Sequence, residues 1–172
     1  MATMNLNPIL RPWQPGDIDD LIFHGNNPRV AAFMTDQFPH PYTREAAEQF
    51  INKTMQYNPG QVFAITIDDK AIGGIGIYPQ NDISRKNAEL GYWLGETFWN
   101  KGIITKCIPK IVEYGFSTFD IDRIFARPFG TNIASQKALE KCGFIFEGRF
   151  KNTWIKNNER FDELIYAVRK AD

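Results

Sequence analysis

The residues best suited to do chemistry lie in one stretch, Leu90 to Phe116. An apolar run of Leu90, Tyr92, Trp93 and Leu94 stops at Gly95-Glu96-Thr97, and Asn100-Lys101-Gly102 follows. Apolar residues then recur at three- and four-residue spacing: Ile104, Ile108, Ile111, Val112 and Phe116. That change of period predicts a strand running through a glycine-hinged turn into a helix start. Such a start presents unpaired backbone N–H groups and the positive end of the helix dipole, so it suits a phosphate. Pro109 falls inside the predicted helix, where proline costs about 3 kcal/mol. The apolar period continues beyond it, which predicts a kink there and not a helix end.

The elements that must position this stretch can be read in order. Leu6 to Trp13 is a first strand, closed by Pro15-Gly16. Asp17 caps a helix with Ile18, Leu21 and Ile22 on its apolar face. Gly25-Asn26-Asn27-Pro28 breaks it, and a short helix follows over Arg29 to Met34. A loop with two prolines and His40 leads to Thr43-Arg44-Glu45, a helix start. That helix runs to about Gln56 and buries Ala47, Phe50, Ile51 and Met55. Three strands follow in a meander: Gln61 to Ile67, Ala71 to Tyr78 and Asn87 to Leu94. Gly73, Gly74 and Gly76 in the second allow bulges and close backbone approach. After the central helix come a strand at Arg123 to Arg127, a helix at Ile133 to Cys142, and strands at Phe144 to Lys151 and Phe161 to Arg169. Helices set within a mostly antiparallel sheet give an α+β or mixed α/β fold, with residues 1–172 read as a single domain.

Composition narrows the function classes. The 172 residues suffice for one sizeable core, and the 43% hydrophobic share is that of a globular chain. Twenty basic residues balance twenty acidic ones, so nothing marks a nucleic-acid binder or a membrane-surface protein. No run approaches a membrane span, and Asn5, Asn7 and Pro8 interrupt any signal-peptide core. Cys107 and Cys142 show no metal-ligand spacing and read as reduced thiols of a cytoplasmic protein with no metal. A nucleotide phosphotransferase is disfavoured, because no G-x-x-x-x-G-K-[ST] occurs and Gly74-Ile75-Gly76 lacks the rest of a dinucleotide fingerprint.

Two segments together are specific. One is Ala88-Glu89-Leu90-Gly91-Tyr92-Trp93-Leu94 followed by Trp99-Asn100-Lys101-Gly102-Ile103-Ile104-Thr105. The other is Asn132-Ile133-Ala134-Ser135, then Leu139-Glu140-Lys141-Cys142-Gly143-Phe144 and Glu147-Gly148. In this order they resemble the Gcn5-related N-acetyltransferase (GNAT) superfamily, within it the RimJ/RimL-like branch. Leu10-Arg11-Pro12 and Pro39-His40-Pro41-Tyr42 extend the resemblance over nearly the whole chain.

The resemblance implies a single-domain acyl-CoA N-acyltransferase fold whose mostly antiparallel sheet splays at the cofactor cleft. It implies acetyl-CoA as cosubstrate, lying between Leu90–Leu94 and Arg123–Arg127. The backbone of Tyr92, Trp93 and Leu94 would pair with the pantetheine arm. The N–H groups of Asn100, Lys101, Gly102, Ile103, Ile104 and Thr105 would hold the pyrophosphate, with Lys101 or Lys106 adding charge. A side chain at 102 would keep phosphate from the backbone. The superfamily pattern Q/R-x-x-G-x-G/A falls on Trp99, Gly102 and Ile104, so the usual polar residue and small residue are both replaced.

For the chemistry, an amine must lose a proton and the departing thiolate must be stabilised. Glu89 is the candidate base, acting through water. Many members use a tyrosine at the position of Leu139; it is missing here, and Ser135 is the branch's substitute. Asn132 contacts the cofactor arm or a water. Each has a plainer reading as well: Glu89 as a salt-bridged strand residue, Ser135 and Asn132 as helix caps. His40 lines the acceptor site or is a structural loop histidine, and Trp154, Arg160, Asp162 and Glu163 fall near the acceptor mouth or on an ordinary charged hairpin. His24 reads as helix surface, and Phe33, Met34, Phe38 and Tyr42 wall the acceptor pocket or pack beneath it. The implied reaction is direct acetyl transfer to a primary amine, either a protein N-terminus or a small amine. The alternative is a non-catalytic coenzyme A-binding module. Assembly as a homodimer is left open.

Overall fold

The computed structural model describes residues 6–171. Seven strands form one sheet: β1 (Ile9–Pro12), β2 (Val62–Ile67), β3 (Lys70–Pro79), β4 (Asn87–Leu94), β5 (Arg123–Ala126), β6 (Ile145–Lys156) and β7 (Glu159–Arg169). Five helices accompany them: α1 (Ile18–Gly25), α2 (Pro28–Ala31), α3 (Arg44–Thr54), α4 (Ile103–Thr118) and α5 (Ile133–Lys141). The strand order is β1-β2-β3-β4-β5-β7-β6. Every neighbouring pair is antiparallel except β4–β5, which is parallel, so the α+β expectation is met.

Two buried clusters flank this sheet. One gathers Ile65, Ile75, Ile77, Leu90, Ile108, Ile111 and Leu139, and so carries α4 and α5. The other gathers Trp13, Leu21, Val30, Ala47, Ile51, Ala64 and Trp93, and carries α1 to α3. The alternation along the strands sorts residues between them: Phe63, Ile65 and Ile67 all reach the first cluster, Val62 and Ala64 the second. A Cβ on Gly73 would stand 2.4 Å from the Trp93 carbonyl oxygen, so β3 lies against β4 only because no side chain intervenes. The β2–β3 register shifts at Ile65/Thr66, opposite this glycine run.

Several boundaries differ from expectation. The first strand begins at Ile9, not Leu6. Asp17 occupies the cap position of α1 without capping it. Its buried carboxylate instead accepts a bidentate pair from Arg11 Nη1 and Nη2 at 2.7 and 2.8 Å and the Gln14 N–H at 3.0 Å. Arg11 also reaches Asp69, which draws the first strand, the turn after it and the β2–β3 turn together. Thr43 does cap α3, accepting from the Ala46 N–H. That helix ends at Thr54, which leaves Met55 55% exposed and not buried. The last hairpin is longer than predicted: Asn157 and Asn158 both adopt positive φ, the two-residue turn that matches strand twist. Among the described residues no helix is long and apolar enough to cross a membrane.

Candidate active site

The cleft begins where β4 and β5 part. They pair only at Asn87–Arg123, Ala88–Ile124 and Glu89–Phe125. Beyond Glu89, β4 stays bonded to β3 up to Leu94, but its other edge has no strand partner among the described residues. The cause lies in β5, which is four residues long and is followed by Arg127-Pro128. The edge of Leu90–Leu94 is therefore left open.

At the end of that edge the chain makes a 3-10 turn over Glu96–Phe98 and enters α4. Asn100 (φ 59°) and Gly102 (φ 70°) are both left-handed, on either side of Lys101. This winding turns successive N–H groups toward one concavity. Gly102 is the cap of α4, and it has no side chain with which to bond the first N–H groups of the helix. The Thr105 hydroxyl donates the other way, to the Gly102 carbonyl at 2.7 Å. A Cβ at 102 would meet only Thr105 Oγ1, at 3.7 Å, so the positive φ and not crowding calls for glycine.

The two departures from the family pattern have structural explanations. The Trp99 indole N–H donates to the Leu94 carbonyl at 2.8 Å, and its ring touches both core clusters. It therefore pins the turn to the end of β4. Ile104 packs against the first cluster. Of the two lysines expected to add charge, Lys101 lies over the Phe98 ring and Lys106 donates to the Leu6 carbonyl.

Glu89 is held by Arg127, whose Nε and Nη2 donate to its two oxygens at 2.9 and 3.2 Å. Arg127 also reaches Glu163 at 3.3 Å, and its guanidinium lies over the Trp154 ring. The Glu89 hydrogen bonds foremost raise the Arg127 pKa further. An aromatic cluster adjoins this triad: Phe129 contacts Trp154, Phe161 and Phe33 edge-on at 4.8, 5.4 and 5.9 Å. Asp162 stands apart, bound by Arg149 and the Asn152 N–H, and Arg160 donates to the Asn152 carbonyl.

Ser135 sits in the first turn of α5, where its N–H is capped by Asn132 Oδ1 at 3.2 Å. Its Oγ lies 2.5 Å from the Tyr92 hydroxyl. Burial pushes the Tyr92 pKa up to about 12, with the Ser135 hydrogen bond opposing. Period-2 alternation puts Glu89 and Tyr92 on opposite faces of β4. The two catalytic candidates thus approach the open edge from opposite sides. Leu139, where a tyrosine was missed, is fully buried.

Sequence reasoning assigned Tyr92 only a backbone role, although its face, shared with Ala88, Leu90 and Leu94, already aimed it at the helices. His24 is not simple helix surface. Its ring is half-buried beside Gly95, with Phe23 and Phe98 edge-on, and desolvation lowers its pKa. His40 is exposed at a recess of about 220 Å³ with Asp36, Phe38 and Lys156. Met34, Phe38 and Tyr42 all pack in or against the second cluster, and Phe33 is 40% exposed. Among the described residues no group of three or more His, Cys, Asp or Glu side chains could hold a metal.

Comparison with known proteins points the same way as the geometry. A family described as acetyltransferase (GNAT) domain matches residues 8–145. The N-acetyltransferase YnaD of Bacillus subtilis is 34% identical over 74% of each chain. The ribosomal-protein-serine acetyltransferase of Escherichia coli is 29% identical over 70% of this chain and 71% of its own. The self-immunity acetyltransferase MccE, solved with acetyl-CoA and AMP, superimposes with a TM-score of 0.82 at 25% identity, covering 98% of this chain and 94% of that one.

Proposed function

From the premise that the chain belongs to the acetyltransferase (GNAT) family, we propose how this acetyl-CoA-dependent N-acetyltransferase divides its work among its own residues. The observation that carries the reading is the open β4 edge leading into a helix start whose cap residue, Gly102, has no side chain. The residues fit the cosubstrate. The backbone of Tyr92, Trp93 and Leu94 offers an unsatisfied edge to the amides of a pantetheine arm. The N–H groups of Asn100 through Thr105, turned inward by the two left-handed residues, suit a pyrophosphate. Asn132 borders the arm at the start of α5.

Acetyl-CoA supplies the activated acyl group, and the chain's residues orient it and manage charge. Backbone N–H groups of the β4 edge polarise the thioester carbonyl. Glu89 takes the proton of the attacking amine through water, and Ser135 stabilises the departing sulfur from the opposite face. Arg127 divides its hydrogen bonds between Glu89 and Glu163, so the base is oriented but not buried. The aromatic cluster around Phe129 walls the acceptor side. The acceptor is a primary amine, either a peptide N-terminus or a small amine. The kinship with a ribosomal-protein-serine acetyltransferase supports the first, and the carboxylate-lined mouth accommodates either.

The test is thiol release from acetyl-CoA across a panel of peptides with free N-termini, polyamines, amino acids and aminosugars. One acceptor class should turn over, and Glu89→Gln should lower its kcat by about 100-fold or more. Cosubstrate binding with no turnover on any acceptor would leave a non-catalytic coenzyme A module. Full turnover in Glu89→Gln would remove Glu89 as the base.

A further inference from the structure

We propose that Tyr92 is a positioning residue for the thiolate-stabilising hydroxyl, so that this protein supplies from strand β4 the phenol that its helix α5 lacks. The proposal rests on the reading of Ser135 given above. Two hydroxyls 2.5 Å apart share one hydrogen bond, and either oxygen can be the donor. The phenol is the more acidic group and the better donor. Burial keeps it protonated, as the raised Tyr92 pKa indicates. With Tyr92 Oη–H donating to Ser135 Oγ, the serine's own proton is free to point elsewhere. Asn132 fixes the serine's backbone by accepting its N–H. Position 139 offers no substitute, since Leu139 is fully buried in the core.

The arrangement has a chemical use. As the amine nitrogen forms its bond to the acyl carbon, the carbon–sulfur pair leaves on sulfur. The amine proton passes to Glu89. Ser135 Oγ–H then donates to the sulfur anion, while Tyr92 Oη–H donates to Ser135. Each hydrogen bond polarises the next, so the serine becomes a stronger donor at the moment negative charge appears. No proton need leave either hydroxyl, and the thiolate departs hydrogen-bonded.

Tyr92→Phe removes one oxygen and keeps the ring. Its kcat should fall by about 10-fold while the KM for acetyl-CoA stays within about 2-fold, the pattern of an interaction made in the transition state. Ser135→Ala should lose more. The double variant should be no worse than Ser135→Ala alone, because both act through one hydroxyl. With an acetyl thioester of a more acidic thiol, whose anion needs less help, the Tyr92→Phe defect should shrink toward unity. Thermal melting of each variant separates a folding defect from a chemical one. Additive losses in the double variant, or a defect independent of the leaving group, overturn the proposal. If Ser135→Ala is impaired and Tyr92→Phe is not, the Tyr92 proposal fails while the Ser135 reading survives. If Ser135→Ala turns over normally, both fail.

Discussion

Replacing Pro109 with alanine should stabilise the protein without touching cosubstrate binding. Helix α4 runs from Ile103 to Thr118 through Pro109. In such a helix the N–H of residue 109 would bond the carbonyl of Thr105. Proline has no N–H, and the orphaned Thr105 carbonyl is met instead by the Cys142 thiol at 3.5 Å. An interior proline costs about 3 kcal/mol relative to alanine. The thiol contact is a weak hydrogen bond and recovers on the order of 1 kcal/mol of that. Pro109→Ala should therefore gain about 2 kcal/mol. In a chain of this size that raises Tm by about 4–8 °C.

The thiol contact can be isolated by a double-mutant cycle. Cys142→Ala in the native background removes the carbonyl's remaining donor. In the Pro109→Ala background the carbonyl has its helical partner back, so the same substitution should cost about 0.5–1 kcal/mol less. The assay is thermal and urea unfolding of the four proteins by circular dichroism, with acetyl-CoA affinity measured alongside. Pro109 is exposed and two turns from Gly102, so affinity should not move. An unchanged or lowered Tm in Pro109→Ala, or an equal Cys142→Ala cost in both backgrounds, would refute the account.

Two further outcomes follow from the site. Gly102→Ala should weaken coenzyme A binding by about 10-fold in calorimetry and cost about 1 kcal/mol in stability, because an alanine at φ 70° is strained and relieving that strain would shift the N–H groups of the turn. Wild-type affinity in this variant would contradict the pyrophosphate assignment. His24 carries a pKa lowered below its ordinary 6.5 by desolvation. The unfolded chain therefore binds a proton that the folded one resists, and stability falls as pH drops through about 6.5. His24→Asn should flatten that limb in urea titrations between pH 7 and 5, and an unaltered slope would show that other groups set it.

Much of the active stretch was legible because local rules suffice there. The switch from strand to helical period located β4, the turn and α4 within two residues. Thr43 was readable as a cap from its own chemistry. What stayed hidden depends on residues far apart in sequence. Glu89 meets Arg127 across 38 positions and Tyr92 meets Ser135 across 43, and both encounters need the parallel β4–β5 crossover. The Asp17 carboxylate looked like a cap because nothing local reveals the claim of Arg11 on it. Trp99 looked like a lost phosphate ligand, yet its indole bond to Leu94 and its place between two cores give it another task. Asn157-Asn158 was a turn signal that went unread, so the final hairpin came out longer than expected.

The parting of β4 from β5 has a consequence for the energetics of the whole sheet. Among the described residues, β1 through β4 join β5, β7 and β6 by strand pairing at Asn87–Glu89, by the Asp122 and Arg123 N–H groups donating to the Lys86 carbonyl just before it, and by side-chain links such as Arg123 to Asn87 and Arg127 to Glu89. A pantetheine arm bonded along Leu90–Leu94 would act as an inserted strand. By mass action, a ligand at 100 times its Kd adds about 2.7 kcal/mol to the folded state. Slowed amide exchange should then concentrate at the β4 edge, and the enzyme's resistance to unfolding and proteolysis would track the supply of its own cosubstrate.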